Sequence, residues 1–276
     1  MRSVGVVGLG AMGLPMAKTL AAKGFAVTGV DVSETRRAAF SPSAADLEAI
    51  SEVDAALLSL PDDGAVTAVV ARLGALLGEG AVIVDTSTIG PDTARAMHDE
   101  AARHGIGYLD APVSGGAAGA AAGALLVMVG GKGEDIDKAL PLLEALAKKV
   151  ARCGGPGAGA VVKLANNMLC AGQLLLAGEA LRMAEAGGVT PEALLDALNA
   201  GSGRSAVTEV NLPRWVLPQA FDSGFTMALM AKDVSLAAQL AGAGKLAAEI
   251  SERWQGGAEA LGGAADFNRI VERAVS

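Results

Sequence analysis

The chain has 276 residues, of which 51% are hydrophobic and 3% aromatic, and its formal net charge is −8. This length suits one large or two modest domains with cores of small side chains. The negative charge argues against nucleic acid or an anionic membrane as a partner, whereas small anions can still bind to backbone N–H groups. Only two cysteines are present, Cys153 and Cys170, which predicts a reducing compartment without a disulfide framework.

A glycine-rich turn lies near the start of the chain, between a predicted strand (Ser3–Val7) and a predicted helix (Ala11–Ala22). Its glycines have GxGxxG spacing: the first permits a tight turn, the second lets the backbone approach a pyrophosphate, and the third lets helix and strand pack closely. The N–H groups at the start of the helix would then face the phosphates. The predicted cofactor contacts in this turn are Gly8, Gly10, Ala11, Met12 and Gly13.

A carboxylate follows the second predicted strand. Asp31 comes directly after Ala26–Val30, at the position where a dinucleotide-binding domain accepts hydrogen bonds from the ribose hydroxyls. Because the carboxylate would repel a 2′-phosphate, NAD is favoured over NADP. Arg36 and Arg37 lie one helical turn further along and weaken that preference.

Short apolar runs alternate with helical patterns up to about residue 155, which predicts a mostly parallel sheet covered on both faces. After Gly154–Gly159 the strand signals stop, and a long helix is predicted over Gly159–Ala186. Further helices are predicted from residue 191 and near 225–242, 244–261 and 266–275. We therefore predict an α/β Rossmann-type NAD-binding domain at 1–156 and an all-α substrate and oligomerisation domain at 157–276, joined by the long helix. Within the first domain, Gly115–Gly123 is interpreted as a functional loop.

No apolar run reaches the charge-free length of a membrane span. The best candidate, Leu164–Gly178, contains Asn166, Asn167 and Gln173, so it is interpreted as a buried helix of a soluble protein. A strand that starts by residue 3 leaves no room for a signal or transit peptide, and a cytoplasmic protein is expected.

A lysine and an asparagine lie one turn apart near the start of the long helix. Lys163 and Asn167 therefore point to one face. Burial would lower the pKa of the lysine toward neutrality, as a general acid/base requires. The alternative is a lysine whose ammonium reaches the surface beside a buried stem.

Two polar segments follow predicted strands. Ser114, Gly115 and Gly116 would leave backbone N–H groups unshielded, either as a nest for a carboxylate or as a simple turn. Thr88 follows the run Ala81–Asp85, where ligands bind in open α/β sheets, or else it caps the helix that begins near residue 91.

Lys232 and Asp233 form a charged pair on an otherwise apolar helix. The pair either covers a helix face or brings a second lysine to the cofactor or substrate. His98 and His104 are both placed on one surface helix, so neither is expected to be catalytic. The two cysteines and two histidines do not form a metal-ligand pattern, and no metal site is predicted.

Four separated blocks together resemble one family. GLGAMGLPMAKTL, DAPVSGG, GAGAVVKLANNM and GFTMALMAKD occur in the order and spacing of the β-hydroxyacid dehydrogenases, which include 3-hydroxyisobutyrate dehydrogenase. The resemblance implies a Rossmann domain followed by an all-α domain. It also implies hydride transfer between NAD(P) and the hydroxyl-bearing β-carbon of a small carboxylate substrate, in a homodimer or homotetramer.

The resemblance also implies roles for individual residues. Lys163 corresponds to the catalytic lysine and Asn167 to a substrate-orienting asparagine. The remaining positions match a carboxylate-binding segment (Ser114, Gly115, Gly116), a lysine between substrate and nicotinamide (Lys232) and cofactor contacts (Leu60, Pro61, Thr88). The expected substrate is 3-hydroxyisobutyrate. The alternatives are a reductase of tartronate semialdehyde or another small semialdehyde, and a non-catalytic nucleotide-binding module.

Overall fold

The computed structural model describes residues 1–272. The chain divides into two compact units, Met1–Lys163 and the residues from Leu164 onward. The first unit combines a sheet with helices, and the second is helical. The boundary predicted at residues 156 and 157 stays a prediction.

Nine strands within the described residues form one sheet. They are β1 Ser3–Val7, β2 Ala26–Val30, β3 Ser43–Ala44, β4 Ala55–Leu58, β5 Val82–Asp85, β6 Gly107–Asp110, β7 Val113–Ser114, β8 Leu125–Gly130 and β9 Ala147–Gly154. Their spatial order is β3-β2-β1-β4-β5-β6-β8-β7, with β9 beside β8. The strands from β3 to β6 pair in parallel, and β8 runs antiparallel to β6 and β7. The mostly parallel sheet predicted from the sequence is confirmed.

The central strands are buried and mostly apolar because helices cover both faces of the sheet. All residues of β4 and β5 are buried. The helices of this unit are α1 Gly13–Ala22, α2 Glu34–Arg37, α3 Asp63–Leu76, α4 Pro91–Ala102, α5 Gly116–Ala122 and α6 Gly133–Leu146. One buried cluster contains residues of α1 and α6, and the other contains residues of α3 and α4.

The long helix α7, Ala158–Ala186, begins in the first unit and continues into the second. By length and composition it could cross a membrane, and 39% of its most apolar window is buried. It is followed by α8 Pro191–Ala200, a π-helix Val207–Val216, α9 Met227–Ala238, α10 Lys245–Leu261 and a short 3₁₀ helix Phe267–Val271. The core of this unit contains Trp254, whose ring stacks on Phe267.

Two segments of the first unit differ from the sequence prediction. Gly115–Gly123 is not only a loop: α5 occupies most of it, because alanine has the highest helix propensity, and Gly123 ends the helix in the left-handed region at φ 61°. Strand β9 was not predicted. Lys148, Lys149 and Arg152 interrupt its apolar pattern, as charges often do on edge strands.

In the second unit the helices predicted from residue 191 and near 225–242 and 244–261 are present. The helix expected over 225–242 is α9, which ends at Ala238. The helix expected over 266–275 is wrong as far as residue 272, since only a 3₁₀ turn forms there, and residues 273–276 lie outside the described residues. The π-helix was not predicted, because its sequence contains Pro213 and lacks a clear helical period.

The prediction for the histidines is wrong in part. His98 lies on α4 but is buried, and its Nδ1 is 3.4 Å from the carbonyl oxygen of Tyr108. His104 lies two residues beyond the end of α4, where its ring packs at Gly74. Neither observation connects a histidine to the predicted site residues.

Candidate active site

The carboxyl ends of five parallel strands form one row in the first unit. The register pairs Val30 with Val7, Val7 with Leu58, Leu58 with Asp85 and Asp85 with Asp110. The chain order changes direction at β1, which has β2 on one side and β4 on the other. Ligands of open α/β sheets bind beyond the carboxyl ends at such a position. The cofactor contacts predicted in the first unit follow these same strand ends.

The glycine-rich turn has the geometry that its spacing predicts. Gly8 has φ +94°, and a Cβ there would overlap the carbonyl oxygen of Ser59. A Cβ on Gly13 would overlap the carbonyl oxygen of Gly8, so helix and turn are in direct contact. A Cβ on Gly10 would meet only Nη1 of Arg36, at 4.0 Å. The middle glycine therefore faces open space at the start of α1, where a pyrophosphate fits.

Asp31 connects the end of β2 to this turn. Its Oδ2 accepts a hydrogen bond of 2.8 Å from the N–H of Leu9, and its Oδ1 accepts one of 2.8 Å from Ser33. Arg36 places Nη1 at 3.6 Å from Oδ2, with most of its side chain exposed. The carboxylate thus fixes the turn through the N–H of Leu9 and retains lone pairs for further hydrogen-bond donors.

The loops after β4 and β5 hold each other in place. The N–H of Leu60, which precedes Pro61, donates to Oγ of Ser87 at 2.9 Å. Ser87 in turn donates its N–H to Oδ1 of Asp85 at 2.9 Å. Thr88 lies on this second loop, and Gly90 rather than Thr88 is the N-cap of α4, so the alternative capping role is wrong.

The segment after β6 requires glycine. Gly115 has φ +127° and Gly116 has φ +64°, directly after Ser114 at the end of β7. A Cβ on Gly116 would meet nothing within 4 Å. Successive N–H groups in such a backbone can converge on an anion, so the segment fits a carboxylate nest.

Lys163 is buried, with 8% of its surface exposed, in the second turn of α7. Most of its side chain is therefore covered, and the alternative in which the ammonium reaches the surface beside a buried stem stays a prediction. The first turn of the same helix is held by Asp110, whose Oδ1 and Oδ2 accept hydrogen bonds of 2.9 Å from Gly157 and Ala160. Burial raises the pKa of the Asp110 carboxyl, and these N–H donors oppose that shift. The role of Asp110 was not predicted.

A buried polar chain in the second unit joins two of the predicted substrate-binding residues. Nδ2 of Asn167 donates to Oδ2 of Asp233 at 2.7 Å, and Nζ of Lys232 lies 3.3 Å from Oδ1 of the same carboxylate. Asn166 also donates to Oδ1 of Asn167 at 3.1 Å. Asp233 therefore orients both side chains. In the sequence this role of Asp233 was indicated only by its place beside Lys232 on an apolar helix.

Asp85 and Tyr108 form a second buried pair beside Asp110. The hydroxyl of Tyr108 donates to Oδ2 of Asp85 at 2.7 Å. Burial raises the pKa of the Asp85 carboxyl, and burial together with the negative charge of Asp85 raises the pKa of Tyr108 well above 10.0. Within residues 1–272, histidine, cysteine and carboxylate side chains form no group of three that could hold a metal ion.

The fold and the strand-end geometry are those of a Rossmann-type dinucleotide-binding protein. Residues 3–155 match the family model described as the NAD binding domain of 6-phosphogluconate dehydrogenase. Residues 157–274 match the model described as NAD-binding of NADP-dependent 3-hydroxyisobutyrate dehydrogenase. The chain belongs to the β-hydroxyacid dehydrogenase family, and it is an NAD(P)-dependent hydroxyacid dehydrogenase by that membership.

Relatives with different names match over most of their length. The 2-(hydroxymethyl)glutarate dehydrogenase of Eubacterium barkeri is 34% identical over 98% of this chain and 93% of that protein. The NAD-dependent L-serine dehydrogenase of Pseudomonas aeruginosa is 35% identical over 87% of this chain and 86% of that protein. The structure of 3-hydroxyisobutyrate dehydrogenase from Mycobacterium tuberculosis with L-serine has a TM-score of 0.91 at 32% identity, covering 98% of both chains.

Proposed function

We propose that this protein is an NAD-dependent dehydrogenase of a small β-hydroxyacid, with 3-hydroxyisobutyrate as the first candidate. The alcohol at the β-carbon loses its hydroxyl proton to Lys163 and becomes an aldehyde. When bound, NAD supplies the hydride acceptor, and the same lysine returns a proton in the reductive direction.

The observation that carries the proposal is the burial of Lys163 one helical turn before Asn167 on α7. A buried ammonium is costly unless it has partners or a function, and a proton-transfer role suits an amine outside bulk water. Asn167, oriented by Asp233, is the proposed hydrogen-bonding partner of the substrate. Lys232, held by the same carboxylate, is proposed to contact substrate and nicotinamide.

The cofactor preference for NAD is proposed from Asp31. A carboxylate held at the end of β2 by two backbone N–H groups would repel a 2′-phosphate. Arg36 lies beside it and opposes this repulsion. We expect kcat/KM with NAD to exceed that with NADP, and Asp31→Asn to reduce the ratio. A wild-type enzyme that prefers NADP would contradict the assignment.

The substrate class is proposed from chemistry shared by the relatives' names. 3-Hydroxyisobutyrate, L-serine and 2-(hydroxymethyl)glutarate each have a hydroxymethyl group on the carbon that bears a carboxylate. Ser114, Gly115 and Gly116 are proposed to hold that carboxylate. A panel of such acids and of small semialdehydes, with both cofactors, separates the proposal from a reductase that acts on tartronate semialdehyde.

The lysine mechanism is tested with Lys163→Ala and Lys163→Arg. Alanine should lower kcat by about 10²–10⁴, as loss of a general acid/base does. Arginine keeps the charge but does not release its proton near neutral pH, so it should be similarly impaired. Fluorescence titration with NADH should give unchanged affinity for both variants. Near-normal turnover of either variant would refute the mechanism, and NADH binding without turnover of any acid in the panel by the wild type would favour a non-catalytic module.

We further propose a homodimer or homotetramer that works in the cytoplasm. Three large side chains lie at seven-residue intervals on α7 and are 66–74% exposed, namely Leu169, Leu176 and Met183, here called the apolar stripe. An exposed stripe of this kind is typical of helices that pack on another subunit. The sequence contains only two cysteines, Cys153 and Cys170, and this low number suits a reducing compartment.

A further inference from the structure

Asp110, which is distant in the sequence, binds the first turn of the helix that carries Lys163. The N-terminus of a helix leaves its first N–H groups without partners in the helix, and a side chain near the cap position usually accepts from them. In α7 the residue before the helix is Gly157, which has no side chain to do so. The carboxylate of Asp110, 47 residues earlier, accepts from Gly157 and Ala160 instead.

The backbone around the Asp110 carboxylate restricts the position of this side chain. A Cβ on Gly130 would lie 2.8 Å from Oδ1 of Asp110, and a Cβ on Gly159 would lie 3.0 Å from Oδ2. Asp110 is 2% exposed, and the N–H of Gly159 also contributes to the hydrogen bonding of its carboxylate. Backbone on two sides therefore fixes the side chain, which in turn fixes the first turn of α7.

The same residue also belongs to the segment that leads to the carboxylate nest. Asp110 ends β6, and Ser114 to Gly116 follow within six residues. Lys163 lies three residues after Ala160, about 4.5 Å along the helix axis at the rise of an α-helix. A displacement of about 1 Å between reacting groups can cost about 10²-fold in rate.

We propose that Asp110 is a positioning residue for the reaction: by binding the first turn of α7, it sets the place of Lys163 relative to the segment Ser114–Gly116. This inference rests on the proposed function of Lys163. It gives the residue that binds the start of α7 a part in the reaction, and it assigns to the aspartate of the DAPVSGG block a task distinct from substrate binding.

The test is a double-mutant cycle between Asp110→Asn and Lys163→Ala. An amide at position 110 has one acceptor oxygen and directs N–H donors at the helix start, so one of the two anchoring bonds is lost. We expect Asp110→Asn to lower kcat by about 10- to 100-fold in the wild-type background. In the Lys163→Ala background the same substitution should lower kcat by less than about twofold, because the side chain that Asp110 positions is already absent.

Asp54→Asn is the matched control. Asp54 also accepts from two backbone N–H groups, those of Arg2 and Ser3, but it precedes β4 and so lies at the amino ends of the parallel strands, away from the carboxyl ends that carry the candidate site. We expect a lower melting temperature and a kcat within about twofold of wild type. NADH affinity, measured by fluorescence, should be unchanged in both aspartate variants, since neither residue is among the proposed cofactor contacts.

Equal losses from Asp110→Asn in both backgrounds, or an unchanged kcat, would overturn the inference. If Lys163→Ala itself turns over normally, the proposed function fails instead, and the two results are distinct. Should Asp110→Asn not fold, Asp110→Ser is analysed by the same cycle. In the wild type, hydrogen exchange should show the amides of Gly157 and Ala160 to be protected, and rapid exchange at both would also refute the anchor.

Discussion

Two glycines of the same turn should respond in opposite ways to the same added methyl group. At Gly13 a Cβ would overlap the carbonyl oxygen of Gly8 and lie 2.9 Å from its carbonyl carbon, whereas relaxed carbon contacts are roughly 3.5–4.0 Å. The turn would have to move away from α1. At Gly10 a Cβ would meet only Arg36, at 4.0 Å, and the backbone there does not have a positive φ. The methyl group would occupy the space proposed for the pyrophosphate.

The magnitudes follow from these contacts. Gly13→Ala should cost about 3 kcal/mol of unfolding free energy, the upper end of typical overpacking costs. At about 2–4 °C per kcal/mol, its melting temperature should fall by about 6–12 °C. Gly10→Ala should change the unfolding free energy by less than about 0.5 kcal/mol. Its NADH affinity should nevertheless fall at least tenfold, equivalent to about 1.4 kcal/mol.

Thermal denaturation without cofactor and fluorescence titration with NADH measure both variants. The predicted result is a crossed pattern, in which Gly10→Ala is stable but binds weakly and Gly13→Ala is unstable. Wild-type NADH affinity in Gly10→Ala would refute the placement of the pyrophosphate. A wild-type melting temperature in Gly13→Ala would refute the close contact between turn and helix.

Three further predictions concern stability and assembly. Tyr108 is the only tyrosine in the sequence, and its pKa is raised in the folded state, so its contribution to stability is present below about pH 10 and is lost as the pH rises through the folded-state pKa. Above pH 10 the unfolding free energy of the wild type should therefore fall by up to about 1.4 kcal/mol per pH unit relative to Tyr108→Phe. Urea titrations in which both proteins show the same pH dependence would contradict this prediction. Leu169→Glu places a charge in the apolar stripe and should shift the oligomer toward monomer in sedimentation velocity, with no shift arguing against an interface there. Asp233→Ala leaves the buried amide of Asn167 without its acceptor and should cost about 1–3 kcal/mol of unfolding free energy, which urea denaturation measures; wild-type stability would count against the polar chain.

The parts of the fold that depend on local pattern could be predicted from the sequence. The strand, glycine turn and helix at the start of the chain are encoded within twenty residues, and the structure has all three. Such elements are predictable because apolar period, glycine position and helix propensity all favour the same conformation.

The segments that could not be predicted are those in which local signals conflict. In β9 the charges that suit an exposed edge also hide the apolar alternation. In α5 the glycines of a low-complexity stretch suggest a loop, although Thr19 of α1 donates its hydroxyl to the carbonyl of Ala120 and fixes the helix. The exposure of His98 was predicted wrongly for a similar reason, since a polar side chain on a helix does not indicate which helix face packs against the rest of the protein.

The residues that support the candidate site escaped prediction for a different reason. Asp110 and Asp233 act on partners that are 47 to 66 residues away in the sequence. The sequence shows that these residues are carboxylates, which need hydrogen-bond donors when they are buried. The identity of those donors depends on the strand order and on helix packing. A motif therefore identifies the side chains that meet ligands more readily than the carboxylates that hold them. In this chain Lys163 lies three residues after Ala160, which Asp110 binds, and Lys232 is itself paired with Asp233. Substituting Asp110 and Asp233 therefore separates the contribution of position from that of charge.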